Sequence, residues 1–169
     1  MEIRWANRVQ ASNTTRSDGT GREVLEETHS LTFDGTVFQS ETRIRALEAL
    51  HIVCLYGFQM FAYKDSQAVF LGAAKRGSFP AWSNTDCGSD TCDCVCMDDG
   101  RNAISMSLDQ SFDLGRPGTY QGTKRMFSQS YGKIYCNLIA NAASQPTFSM
   151  NAGDCYGFRG AYRFYPVEK

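Results

Sequence analysis

Histidine is nearly missing from this chain: only His29 and His51 occur among its 169 residues, which leaves general-base catalysis few options. There is no Gly-x-Ser-x-Gly, no phosphate-cradling glycine-rich loop and no His-Glu-x-x-His segment. Their absence argues against hydrolase, nucleotide and metalloprotease chemistry. No stretch approaches the roughly 18 apolar residues of a membrane helix. The longest apolar region, residues 52–63, is interrupted by Gly57 and Gln59 and reads as buried strand. An excess of either charge is lacking too, with 17 basic and 18 acidic residues and a net charge of −1. Lys75-Arg76 and Lys124-Arg125 are isolated basic pairs, so nothing electrostatic points to nucleic acid or an anionic membrane. The opening Met-Glu-Ile-Arg-Trp lacks the apolar core of a secretion signal, which fits an intracellular chain or a processed form. Neither an internal repeat nor a low-complexity linker interrupts the chain.

What is present is aromatic. Eleven Phe and eight Tyr lead a 12% aromatic share, and such residues suit a pleated, half-buried surface. The length fits one domain over residues 1–169. Residues 1–10 alternate, with Ile3, Trp5 and Val9 opposite Glu2, Arg4 and Arg8. Leu25, His29, Leu31 and Phe33 share a face before the Asp34-Gly35 turn signal. Residues 40–51 admit a helix, but the alternation of Thr42, Ile44, Ala46, Leu50 and Ile52 favours a strand. Further strands are expected at 53–63, 67–73, 104–108 and 133–140, where Ile134, Cys136 and Leu138 share a face. A final hairpin is expected to join 147–150 to 156–165, with Tyr156, Phe158, Tyr162 and Phe164 on one side and Arg159, Arg163 and Tyr165 on the other. Residues 76–101 show little periodicity and read as a long loop. Short strands between turns predict an all-β fold, an antiparallel β-sandwich of jelly-roll-like or similar type.

Four of the seven cysteines, Cys87, Cys92, Cys94 and Cys96, fall within ten residues. Their spacing departs from the paired Cys-x2-Cys of zinc sites, and the nearby Asp86, Asp90, Asp93, Asp98 and Asp99 do not follow a calcium-loop order. No metal or cofactor is therefore expected. In an extended run Cys92, Cys94 and Cys96 point to one face, and a bridge across a single residue is strained. Disulfides to Cys87, Cys136 and Cys155 are the expected staple of the long loop, with Cys54 a buried free thiol. Such bridges imply an oxidising compartment, hence an extracellular or cell-surface location. A fully reduced cytosolic chain is the alternative.

For catalysis, His51, Tyr56, Gln59 and Tyr63 are weak candidates for proton abstraction from a uronic sugar. For binding, Trp82, Asn84, Asp86 and Tyr131 are the candidates, because a flat ring stacks on the C–H face of a sugar while neighbouring polar groups hold its hydroxyls. The leading expectation is an extracellular carbohydrate-interacting module that binds or processes polysaccharide or glycoprotein glycan. The alternatives are a non-enzymatic structural or adhesive protein of a surface, virion or fibre, and a secreted effector or toxin.

Overall fold

The computed structural model describes residues 1–15, 18, 21–52, 54–63, 66–72, 76–86, 92–109, 111–112, 126–139 and 148–167. The strands are β1 (Glu2–Thr15), β2 (Gly21–Phe33), β3 (Val37–Ala46), β4 (Leu50–Ile52), β5 (Leu55–Phe61), β6 (Gln67–Gly72) and β7 (Arg76–Pro80), followed by β8 (Thr85–Asp86), β9 (Cys92–Asp98), β10 (Asn102–Leu108), β11 (Met126–Gln129), β12 (Lys133–Ile139), β13 (Phe148–Met150) and β14 (Cys155–Pro166). All pairs are antiparallel. An eight-stranded sheet runs β1-β2-β3-β14-β10-β9-β6-β7, a four-stranded sheet runs β5-β12-β11-β8, and β13 pairs with β4 in a ribbon. No helix occurs among the described residues, so none there is long and apolar enough to cross a membrane.

Period-two patterning explains how the layers meet. On β3 the side chains of Thr42, Ile44 and Ala46 are 5%, 1% and 1% exposed, while Arg43 and Arg45 point away. On β14 Tyr156 and Phe158 face inward, with Tyr162 packed beside them. Phe58, Met60, Met126, Ile134, Cys136 and Leu138 of the small sheet complete the same core. Phe58 stands edge-on to Phe158 at 5.4 Å and to Tyr162 at 5.8 Å between ring centres. The result is a sandwich of unequal layers, eight strands against four, rather than the eight-stranded jelly roll.

Three expectations need correction. Residues 76–101 are not one loop: β7, β8 and β9 lie within them, and β9 is an interior strand between β10 and β6. Cysteine there acts as a small apolar residue, so the run from Cys92 to Met97 is strand-forming although it looks like a cluster of ligands. Its acidic tail makes the next turn. Asp98 Oδ1 accepts from the Gly100 N–H at 3.1 Å, and Asp99 Oδ1 accepts from Arg101 and Asn102 at 2.8 and 2.7 Å. Gly100 closes it at φ 82°, a conformation that glycine reaches without a Cβ penalty. The expected terminal hairpin does not form either. β13 pairs with β4 and β14 with β3 and β10, so the Asn151–Asp154 turn carries the chain between sheets.

The third correction concerns the staple. No disulfide joins any of Cys54, Cys92, Cys94, Cys96, Cys136 and Cys155; Cys87 lies outside the described residues. The register explains why. A bulge sets Cys94 opposite Leu71 and Cys92 opposite Gly72, which turns Cys92 into the core with Val95 and Met97 and leaves Cys94 and Cys96 on the opposite face. Through β10, Cys94 aligns with Ala161 of β14. Six residues separate that position from Cys155, about 20 Å along a strand, far beyond the span of a disulfide. Cys136 belongs to the facing sheet and points into the core, about 10 Å from the other layer. Cys54 is free as expected, but half-buried.

On the outer face of the large sheet, Arg159 donates to Asp109 Oδ2 from Nε at 2.9 Å and from Nη2 at 2.8 Å. The guanidinium groups of Arg159 and Arg43 clamp Phe112, their central carbons 4.8 and 5.1 Å from its ring centre. The Ser111 hydroxyl, and then Arg159, hold the Asp109 carboxyl below its ordinary value. A depressed folded-state pKa gives stability that is present above the ordinary carboxylate value, about 3.9, and lost as pH falls through the folded one. Asp109→Asn is expected to cost less than about 1 kcal/mol at neutral pH, as befits a solvated ion pair, and to flatten the acid limb of a urea-midpoint-against-pH curve. An unchanged acid limb would show that Asp109 does not contribute to it.

Candidate functional site: an aromatic face on the small sheet

The outward side of the four-stranded sheet is built by the residues between the core positions. On β12, Ile134, Cys136 and Leu138 point in, so Lys133 and Tyr135 stand on the other face, where the neighbouring side chains cover Tyr135 to 8% exposure. On β11, Met126 and Ser128 are buried and Phe127 points out. Register then sets Gln59 opposite Tyr135, Tyr135 opposite Phe127 and Phe127 opposite Asp86, one residue from each strand. Phe127 and Tyr135 stack at 5.0 Å with 11° between their planes. Tyr56 leans on both, at 4.7 Å from Tyr135 and 5.9 Å from Phe127. Lys133 Nζ lies over Tyr135 at 4.8 Å and over Phe61 at 5.4 Å, a cation–π pair that extends the row. Tyr131 joins through a 2.8 Å hydrogen bond between its hydroxyl and that of Tyr135.

The rim of this face is open. Phe61 is 75% exposed, Tyr63 80%, Tyr131 56% and Trp82 41%. Contiguous exposed rings of this kind mark interaction surfaces. The hydroxyls serve as hydrogen-bonding groups, not as bases. The Tyr56 phenol is pushed up to about 12, first by its hydrogen bond to Cys54 and then by burial. The Tyr131 phenol is likewise raised, chiefly by its bond to Tyr135. Both are protonated at neutral pH, which does not suit proton abstraction.

The sequence-derived candidates divide among several roles. Tyr56, Gln59 and Tyr131 meet on the aromatic face, and Asp86 ends its central row. Tyr63 extends from the end of β5. Trp82 braces the site: its indole N–H donates to the Ala62 carbonyl at 2.8 Å, and its ring fills the space in which a Gly132 side chain would sit. Asn84 accepts from the Ser130 N–H at 2.8 Å, fixing the turn that carries Tyr131. His51 is elsewhere, in the β4–β13 ribbon with Nδ1 2.9 Å from the Ser149 hydroxyl. Phe61, Phe127, Lys133 and Tyr135 were not anticipated. The signal for Tyr135 was available, since it lies between Ile134 and Cys136, two core-facing positions.

The site therefore belongs to an all-β, antiparallel sandwich that presents a flat aromatic sheet face. No family model and no curated protein matches the chain. Among solved structures it is similar to a galactose 1-epimerase from Lactobacillus acidophilus NCFM, with a TM-score of 0.49 and 8% identity, covering 99% of this chain and 63% of that one. The chain thus spans less than two thirds of that enzyme's length, and a likeness at this level reaches neither family nor activity.

Proposed function

We propose that this protein binds carbohydrate, with the aromatic face of the small sheet as its platform. The observation that carries the reading is the cross-strand row Gln59–Tyr135–Phe127–Asp86, flanked by Tyr56, Phe61, Lys133 and Tyr131. Pyranose rings present apolar C–H faces with hydroxyls around the edge. Stacked aromatics match the first, and amide, carboxylate, ammonium and phenol groups match the second. A flat face suits an extended polysaccharide or a glycoprotein glycan better than a small sugar, which prefers a concave pocket. An extracellular or cell-surface setting belongs to the same proposal, but no disulfide among the described residues supports it.

Isothermal titration with neutral and acidic oligosaccharides tests the reading. Phe61→Ala and Tyr131→Ala, both at exposed positions, are each expected to weaken binding on the order of tenfold, about 1.4 kcal/mol, with thermal stability preserved. A glycan array on which the wild-type protein binds nothing would sink the proposal.

A further inference from the structure

Sheet edges are ready-made templates for another strand unless they are short, capped or interrupted. Most edges of this molecule are so protected. β7 spans five residues and ends in Pro80, which has no N–H to donate. β8 has only two residues. β5 is capped where the Tyr162 hydroxyl accepts from the Gln59 N–H at 3.1 Å and donates to the Gln59 carbonyl at 2.8 Å. β1 is the exception among the described residues: it forms one border of the large sheet, and its pairing with β2 is regular from Glu2 to Val9. Nothing in that stretch is proline or glycine.

The hydrogen-bond phase of β1 is known from its start. The Met1 amino group donates to the Phe33 carbonyl at 3.0 Å, and the Phe33 N–H donates to the Met1 carbonyl at 2.9 Å. Alternation in an antiparallel pair then turns the N–H and C=O groups of Ile3, Trp5 and Asn7 toward β2. Those of Glu2, Arg4, Ala6 and Arg8 point outward, toward no described strand. We propose that this edge pairs with the same edge of a second copy, antiparallel across a two-fold axis at Trp5, joining the two large sheets into one.

The side chains select that register. With the axis at Trp5, Glu2 lies opposite Arg8 of the second copy, twice by symmetry, and Arg4 lies opposite Ala6. Moving the axis by one residue, which keeps outward groups opposite outward groups, sets Arg4 against Arg8 or against itself. Like charges directly opposite are destabilising, so both neighbouring registers are disfavoured. On the other face, Trp5 meets Trp5 of the second copy. Each indole already stacks on its own His29 at 4.7 Å and 12°, so the two copies would form a continuous stack of four rings. Ile3 and Trp5, now 44% and 46% exposed, would be partly covered. An isologous contact of this kind closes at two copies.

Sedimentation velocity over a concentration series tests the proposal. The wild-type chain is expected to pass from monomer to dimer; a monomer at every concentration reached would overturn it. Ala6→Pro removes only an outward N–H and leaves the β1–β2 ladder intact, so it is expected to raise the dimer dissociation constant tenfold or more while the circular dichroism spectrum stays unchanged. Persistence of the dimer in that variant would place the contact elsewhere and overturn the proposal. Should Ala6→Pro fail to fold, charge reversal gives a second route. Arg8→Glu is expected to weaken the dimer, and adding Glu2→Arg to restore it. A double variant no tighter than Arg8→Glu alone would overturn the assigned register.

Discussion

Replacing Gly160 by alanine is expected to destabilise the protein by about 3 kcal/mol, at the upper end of the usual range for overpacking, and to lower Tm by about 10 °C. Gly160 lies in β14 opposite Leu108 of β10 and Ser40 of β3, under the ring that joins the layers. A Cβ there would collide with the Ser107 carbonyl oxygen and lie 2.5 Å from Phe58 Cε2. A side chain can turn aside, but the carbonyl is part of the β10 backbone and cannot move without disturbing its pairing. Phe58→Ala alone is expected to cost about 3–5 kcal/mol through the cavity that it leaves. Combining the two separates the causes. The space vacated by Phe58 relieves only the ring contact, so Phe58→Ala/Gly160→Ala should remain less stable than Phe58→Ala in a urea titration. If the two have equal midpoints, the backbone collision is not what makes Gly160 necessary.

The same residues show which parts of the fold could be read from the chain. Thr42, Ile44 and Ala46 alternate, and the strand they imply is β3; the two faces expected for residues 156–165 are those of β14. Both strands are long and bury one side, and there the period of two is strong. The pairing of strands was less legible. Phe148 to Met150 and the start of β14 flank a good turn, yet they belong to different sheets, because local turn chemistry does not say whether a chain reverses or crosses over. β9 was missed for another reason. Its cysteines and aspartates were read for the chemistry they could perform, when Cys92 points into the core, Cys94 and Cys96 lie on the opposite face, and Asp98 and Asp99 make a turn. The single bulge beside Cys92 then undid the same-face geometry on which the bridges depended, since one inserted residue reverses the facing of everything before it.

The candidate site was legible only in fragments. Tyr56, Gln59, Asp86 and Tyr131 are spread over 76 positions in the chain, and they converge only because β5, β12, β11 and β8 lie side by side. That adjacency rests on long-range pairing, for which sequence patterning carries no signal. Trp82 and Asn84 were found by residue type, but the structure uses both to hold neighbouring backbone. The rings that form the centre, Phe127 and Tyr135, lie on short strands whose buried neighbours drew the attention.

Tyr162→Phe is expected to cost about 1 kcal/mol, the net contribution of hydrogen bonds whose backbone partners on exposed Gln59 stay within reach of water. The Tyr162 hydroxyl serves both the N–H and the C=O of Gln59, tying the large sheet to the β5 edge on which Gln59 and Phe61 are mounted. Amide exchange at Gln59 should therefore accelerate in the variant more than exchange in β2 or β3, and equal changes throughout would indicate global destabilisation instead of a lost tie. The pH dependence follows from the same group. Burial raises the Tyr162 phenol, Tyr56 and Tyr165 are pushed up to about 12, and burial raises the Cys94 thiol to about 11. Each group loses its proton more readily when unfolded, so the stability it contributes is complete below its unfolded pKa and falls as pH rises toward the folded value. Unfolding free energy should hold steady up to about pH 8.5, where an unfolded cysteine begins to ionise, and then decline more steeply beyond about pH 10 as the tyrosines follow. Tyr162→Phe has no phenol at that position, so its alkaline decline should be shallower than that of the wild type. An equal slope in both proteins would mean that the Tyr162 proton is not linked to folding.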